Sequence, residues 1–221
     1  MKDLVNTYID SLIPERTPLL MEMEAYAREH KVPIMELAGI ETMLQIMRIQ
    51  NPVRILEIGT AIGYSALRMA EALPQATIVS IELDDERYEQ ASRNISRSPH
   101  ESRIVLLKGD ALELQLEAEK YGKYDALFID AAKGQYMKFF NLYSRMLSGQ
   151  GCVYSDNVLF KGLVAEETVE NKRIRGMVSK IKTYNHWLMA HPEFTTAIIP
   201  VGDGLAVSSR KSAQIAERGN S

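Results

Sequence analysis

Apolar residues recur along this chain in two rhythms, and the change between them falls near residue 50. LVNTYIDSLI (4–13) and LLMEMEAYAREH (19–30) place apolar side chains every three to four residues, with Pro14 and Pro18 as breaks. That is the spacing of one helix face. Pro33 opens a further segment in which Met35, Leu37, Ile40, Met43, Leu44, Ile46 and Met47 keep the helical period. From residue 53 short β-rich runs take over: VRILEI, TIVSIE, RIVLLKG, YDALFID and GCVYSD, the gaps holding helical stretches such as SALRMAEAL, RYEQASRNI and MKFFNLYSRML. Short apolar strands alternating with helices predict a parallel sheet covered on both faces. A longer helix is expected from Glu166 to His191. After it FTTAIIP and LAVSSR, joined by VGDG, read as an antiparallel hairpin, which makes the sheet seven-stranded and mixed. The chain is expected to form one domain over 1–221, with a helical cap at 1–50, an α/β core at 51–211 and a polar tail at 212–221.

Composition narrows the function classes. The 221 residues are 46% hydrophobic and 25% charged, with net charge −3, the make-up of a globular protein rather than a fibre or a disordered tail. A protein that coats nucleic acid non-specifically would be basic, so any RNA contact must rest on a local patch. The single cysteine, Cys152, excludes an internal disulfide and a paired-cysteine metal knuckle, and its setting in GCVY suits a small buried residue. The N-terminus lacks an apolar signal core, and no run approaches the roughly 18 apolar residues of a membrane span. A cytoplasmic chain with no membrane partner is the expectation.

Ligands of open α/β sheets bind beyond the carboxyl ends of the strands, so polar residues that end strands carry the candidate chemistry. The first strand runs into Glu57-Ile58-Gly59-Thr60-Ala61-Ile62-Gly63-Tyr64-Ser65. Gly59 and Gly63 allow a sharp turn and close approach to a ligand. Glu57, where a dinucleotide fingerprint has its first glycine, would repel a pyrophosphate and disfavours a dehydrogenase. Glu82 ends the second strand at the spacing of an acid that accepts hydrogen bonds from ribose hydroxyls. Asp110 follows the third strand and either caps the next helix or binds an adenine amino group. Together these acids describe a nucleoside site without a phosphate clamp, the kind of site that suits S-adenosylmethionine.

ILEIGTAIGYSALRMA, IE, GDA, FIDAAKGQY and SDNVLFKG, in that order, resemble the motifs of class I, Rossmann-like methyltransferases. In particular they resemble the metal-dependent O-methyltransferases that include the catechol and caffeoyl-coenzyme A enzymes. The resemblance spans residues 33 to 209. VPIMELAG, IDAAKGQY, DNVLFKGLVAE, YNHWLMAHP and TAIIPVGDGLA are similar to the branch in Gram-positive bacteria that methylates 5-hydroxyuridine in tRNA. The resemblance implies that Met35, Ser65, Glu82, Asp110, Ala111 and Asp130 contact S-adenosylmethionine, with Glu57 and the Gly59–Gly63 loop shaping the pocket.

Phe128-Ile129-Asp130 and Ser155-Asp156-Asn157 each end an apolar strand in oxygen donors. Two carboxylates and an amide favour Mg²⁺ or Mn²⁺ over zinc, although an Asp-Asn pair also serves as a turn or cap. The resemblance implies that Asp130, Asp156 and Asn157 hold the metal, with Asp130 and Lys133 catalytic and Lys133 a general base or anion stabiliser. Ala132 replaces an acid common in relatives, leaving a less acidic pocket than a catechol-type subsite. The implied reaction is methylation of the 5-hydroxyl of 5-hydroxyuridine in a tRNA anticodon loop, giving 5-methoxyuridine. The alternative acceptor is a small catechol or hydroxycinnamoyl compound. Lys172, Arg173, Arg175, Lys180 and Lys182 read either as a solvated helix face, partly balanced by Glu166, Glu167 and Glu170, or, together with Lys161, as the stretch along which an anticodon stem would lie. His186 and Trp187 read as packing or interface residues, and the resemblance also implies a homodimer through the N-terminal helices.

Overall fold

The computed structural model describes residues 2–211, so the expected tail at 212–221 lies outside the described residues. Three helices open the chain: α1 (Lys2–Leu12), α2 (Pro18–His30) and α3 (Leu37–Gln50). The core follows as β1 (Arg54–Ile58), α4 (Tyr64–Ala72), β2 (Thr77–Glu82), α5 (Asp85–Ser96) and β3 (Ile104–Lys108). Next come α6 (Gln115–Glu119), β4 (Tyr124–Ile129), α7 (Tyr136–Tyr143), β5 (Leu147–Ser155), α8 (Lys172–Met189), β6 (Phe194–Ile199) and β7 (Leu205–Arg210).

The seven strands form one sheet in the order β3-β2-β1-β4-β5-β7-β6, parallel from β3 to β5 and antiparallel where β7 joins β5 and β6. Strand order reverses between β1 and β4, the topological switch point at which open α/β sheets bind ligands. Alternate side chains of the central strands feed two cores. Ile55, Ile78, Phe128 and Tyr154 pack with α2 to α5 on one face. Leu56, Val79, Leu127 and Val153 pack with α7 and α8 on the other.

Four boundaries differ from the sequence expectation. Residues 32–36 lie outside the helices, and α3 starts at Leu37 after an extended Glu36 rather than at Pro33; Pro33 disfavours the helical region for Val32. The helix expected from Glu166 starts at Lys172, where the Asn171 side chain accepts hydrogen bonds from the Arg173 and Ile174 N–H groups at 3.0 and 3.1 Å. Three neighbouring acids at 166, 167 and 170 do not replace that cap. The helix expected over MKFFNLYSRML ends at Tyr143, and Ser144–Met146 form a 3₁₀ turn. Leu147 already belongs to β5, four residues before the expected start of that strand.

Backbone bonds carry the sheet ladder one residue past three strand ends. The N–H groups of Gly59, Asp130 and Asp156 donate to the carbonyls of Ile81, Ile58 and Ile129 at 3.0, 3.0 and 3.1 Å. The chemistry-bearing residues of β1, β4 and β5 are therefore held on one edge by the ladder itself.

Candidate active site

A cleft of about 1090 Å³ opens over this edge, at the upper end of the range for small-molecule sites. Gly59, Glu82, Asp110, Ala111, Asp130, Lys133 and Asn157 all line it. Glu57 does not. It is fully buried beneath the turn, where its two carboxylate oxygens accept hydrogen bonds from the Ser65 and Ser80 hydroxyls. Burial, only partly offset by those two donors, pushes its carboxyl up to about 7. Ser65 is thus committed to Glu57, and Gly63 is the left-handed residue before α4, facing Ala91 of α5. Met35 lines an adjoining hollow with Glu24 and Tyr64; that hollow shares Pro33, Ile34 and Glu36 with the cleft.

Glu82 is fixed by backbone donors: the Ala61 N–H binds Oε2 at 2.7 Å and the Asp84 N–H binds Oε1 at 2.9 Å. Each oxygen keeps accepting capacity for hydroxyls entering the cleft. Asp110 closes a turn through Oδ1, which accepts the Leu112 N–H at 2.8 Å. It also lines the cleft, but it does not cap the next helix, because the N-cap of α6 is Leu114.

Charge is divided across the cleft. Glu82, Asp84, Asp85, Glu86 and Asp110 gather at the β2 and β3 side, with Arg87 among them. Lys133 and Lys161 stand on the other side, at the ends of β4 and β5, with Asp130 and Asp203 beside them. The acidic half repels a pyrophosphate and attracts a cation or a hydrogen-bond donor.

Asp130 and Asp156 end neighbouring strands, paired through Ile129 and Ser155. Asp156 is 3% exposed, and its carboxyl is raised by burial and then by the charge of Asp130, with Lys133 acting in the opposite direction. Asn157 has φ of +65° and donates from Nδ2 to Asp156 Oδ2 at 3.3 Å. Lys133 Nζ donates to Asp130 Oδ1 at 3.0 Å and to the Tyr136 hydroxyl at 2.8 Å. Two carboxylates thus share one neighbouring ammonium, leaving negative charge that a hard divalent cation would offset. Among the described residues no group of three or more His, Cys, Asp or Glu side chains could hold a metal; the candidate set is two carboxylates completed by an amide.

Sequence reasoning singled out Lys161 but missed the left-handed conformation of the loop that carries it to the cleft. Phe160, Lys161 and Gly162 have consecutive positive φ values of 46°, 56° and 83°, a costly run for two residues with side chains. The β6–β7 turn holds it: Leu159 and Phe160 donate N–H groups to the Asp203 carbonyl at 2.8 and 3.1 Å. A Cβ on Gly204 would stand 2.4 Å from Leu159 Cγ. The only sequence signal was the FKG tripeptide.

The basic cluster expected on α8 divides. Arg175 and Lys182 line a hollow with Glu166, Glu167 and Glu170, which balances their charge locally. Lys180 lies instead along Gly134, whose added Cβ would be 3.2 Å from Lys180 Nζ, next to Lys133. Trp187 packs edge-on against Phe140 and His191. Cys152 is half-buried with its thiol pushed up by burial. No helix among the described residues is long and apolar enough to cross a membrane.

A family model described as O-methyltransferase matches residues 11–211. Among curated relatives, the flavonoid 3',5'-methyltransferase of Vitis vinifera is 29% identical, over 88% of this chain and 93% of its own length. The catechol O-methyltransferase of Niastella koreensis is 28% identical, over 92% and 95%. A crystal structure from Staphylococcus aureus superposes with a TM-score of 0.85 at 33% identity, covering 95% of this chain and 98% of that one. The SAH-bound structure of a Podospora anserina methyltransferase gives 0.82 at 26% identity, covering 96% and 95%.

Proposed function

The chain belongs to the O-methyltransferase family, and from that premise we propose that it methylates the 5-hydroxyl of 5-hydroxyuridine in a tRNA anticodon loop. The methyl donor is S-adenosylmethionine, and the reaction depends on Mg²⁺ or Mn²⁺. The observation that carries this reading is the grouping of Asp130, Asn157 and Lys133 in the cleft wall, with Asp156 buried at the end of the neighbouring strand, across from the acids around Glu82.

Glu82 and Asp110 would receive the ribose hydroxyls and adenine amino group, and Gly59, Ala111 and the turn to Gly63 leave room for the nucleoside. Glu57 and Ser65 support that turn from below, and Met35 closes the adjoining hollow. Bound there, S-adenosylmethionine supplies a methyl group on a sulfonium and leaves as S-adenosylhomocysteine. Asp130, Asp156 and Asn157 would hold the divalent cation, which supplies positive charge favouring the deprotonated form of a hydroxyl. Lys133 Nζ takes the acceptor's proton or stays charged beside its oxyanion, and its bond to Asp130 keeps it over the cleft. Orienting acceptor oxygen and methyl carbon in line supplies much of the remaining acceleration.

A 5-hydroxyuridine presents its 5-hydroxyl beside the O4 carbonyl, the same adjacent-oxygen pattern as a catechol. Support for RNA comes from the motif resemblance, from Ala132 in place of a further acid, from Lys161 in the cleft wall, and from Lys180 beside Gly134. The likeness to a catechol O-methyltransferase favours a small vicinal diol as the second reading. We further propose that the chain works in the cytoplasm as one methyltransferase domain, and pairs with a second copy through α1. That helix turns Leu4, Val5, Tyr8, Ile9 and Leu12 outward.

Transfer of labelled methyl from S-adenosylmethionine to a stem-loop RNA bearing 5-hydroxyuridine, and to catechol, separates the readings when run with and without chelator. Chelator-sensitive labelling of the RNA, together with loss of 5-methoxyuridine from tRNA of a deletion strain, is the expected result. Efficient catechol labelling with unchanged tRNA overturns it in favour of the second reading.

A further inference from the structure

We propose that Tyr136 is a positioning residue for Lys133, its phenol holding the lysine ammonium over Asp130 and tying it to the end of β5. Tyr136 opens α7 immediately after the 3₁₀ turn Lys133–Gln135 and is 2% exposed. Its hydroxyl donates to the backbone carbonyl of Asp156 at 3.1 Å and accepts from Lys133 Nζ at 2.8 Å. A phenol has one proton, and a carbonyl can only accept. Once that proton is given to Asp156, only lone pairs remain to face Lys133, so the phenol captures a donor there.

The ring is itself immobilised. It meets the Tyr184 ring edge-on, with centroids 5.3 Å apart, a contact that a phenylalanine at 184 retains. Lys133 Nζ also lies 5.1 Å from the Tyr136 ring centroid. A free lysine head samples many rotamers, and fixing it costs conformational entropy. Here that ordering is complete before an acceptor arrives, and a preset geometry speeds the chemical step more than it tightens binding. The inference rests on the proposed role of Lys133 in methyl transfer.

The test compares Tyr136→Phe with Tyr184→Phe. The second removes a hydroxyl from the same aromatic cluster without touching Lys133. Acetylation of each lysine by a water-soluble acylating reagent, read by peptide mass spectrometry, should rise several-fold at Lys133 in Tyr136→Phe alone. With whichever acceptor the wild type methylates, 5-hydroxyuridine stem-loop or catechol, Tyr136→Phe should lower kcat about 10- to 100-fold and leave KM within about twofold. Tyr184→Phe should stay within about twofold on both. On the wild type alone, spectra of ¹⁵Nζ-labelled lysine should show a slowly exchanging ammonium that disappears in Lys133→Arg, which keeps the test open if Tyr136→Phe does not fold. Unchanged Lys133 acetylation, an equal kcat loss in Tyr184→Phe, a change confined to KM, or no such ammonium signal overturns the proposal. If the wild type methylates neither acceptor, the functional reading fails, and the acetylation and ammonium measurements still decide the role of Tyr136.

Discussion

Gly59 lies flat against the backbone of Asp130: a Cβ built on it would stand 2.1 Å from the Asp130 carbonyl oxygen. Its φ of +100° adds a second requirement for glycine. Gly63, four residues on, also has positive φ, but an added Cβ there would meet Ala91 at an ordinary 3.5 Å. The two glycines therefore separate backbone strain from collision. Gly63→Ala should cost only the left-handed penalty, about 1–2 kcal/mol. Gly59→Ala should cost more, about 3 kcal/mol or above, and should displace Asp130. Thermal unfolding of both variants checks the order, and equal losses would remove the argument that β1 and β4 meet through Gly59.

Glu57 gives stability a pH dependence of defined sign. Its carboxyl is raised from 4.5 to about 7 by burial, so the folded state binds a proton that the unfolded state has already released between those values. The contribution is fully present below about pH 4.5 and is lost as pH rises to about 7, by about 3 kcal/mol in total. Glu57→Gln has no proton to lose. The stability difference between wild type and Glu57→Gln, measured by urea unfolding, should therefore shift in favour of the variant across pH 4.5 to 7 and then level off. A difference that does not vary with pH would show that the buried carboxyl titrates normally.

The N-terminal helices are fastened to the turn after β1 by charged hydrogen bonds. Arg16 binds both Glu24 oxygens at 2.8 Å, and the Tyr64 hydroxyl donates to Glu24 Oε1 at 2.7 Å. Arg68 donates to the same hydroxyl at 3.0 Å and pairs with Glu41 of α3. Tyr64 directly follows Gly63, so α2, α3 and α4 meet at the turn. Removing one partner of a buried pair leaves the other uncompensated, at about 3–5 kcal/mol. Glu24→Ala should destabilise the protein by about 3 kcal/mol in urea unfolding and weaken S-adenosylmethionine binding in calorimetry. A loss under about 1 kcal/mol would mean that water replaces the carboxylate.

The sheet was legible because parallel strands buried on both faces read as short apolar runs, and the edge that gathers the candidate residues was legible because Glu82, Asp110, Asp130 and Asp156 each end or follow such a run. Burial depth was not legible. Glu57 and Asp130 look alike as strand-end acids, yet one is sealed beneath the turn by Ser65 and Ser80 and the other faces the cleft. Serines in helix and strand patterns carry no sign of which carboxylate they will meet. The basic cluster shows the same limit. Lys180 and Lys182 are two residues apart on α8, but helical geometry turns one toward Gly134 and the other toward Glu166. The Lys161 loop was hidden because its three left-handed residues are imposed by the β6–β7 turn, which is remote in sequence.

That division of α8 predicts unequal charge reversals. Lys161→Glu and Lys180→Glu should weaken binding of the stem-loop RNA about tenfold at moderate salt and lower the magnitude of its salt slope by about one each. Arg175→Glu, whose site already faces Glu166 and Glu170, should change affinity less than about threefold. Filter binding across a salt series checks this, and equal effects at all three positions would place the RNA along the outer face of α8.

Asp156 sets function against stability most directly. It is 3% exposed, and both its burial and the Asp130 charge disfavour its ionised form. An uncharged side chain of the same shape removes both penalties, so Asp156→Asn should melt at or above the wild-type temperature in the absence of divalent metal. The same change takes away one of the two carboxylates proposed to hold the divalent cation. Transfer should fall at least about 100-fold, and a Mg²⁺ titration that raises the melting temperature of the wild type should no longer move that of the variant. A variant that melts higher and is inactive would show a carboxylate pair kept for metal binding at the expense of the fold. Wild-type rates in Asp156→Asn, still abolished by chelator, would mean that the metal is held elsewhere and that Asp156 is only the end of a strand.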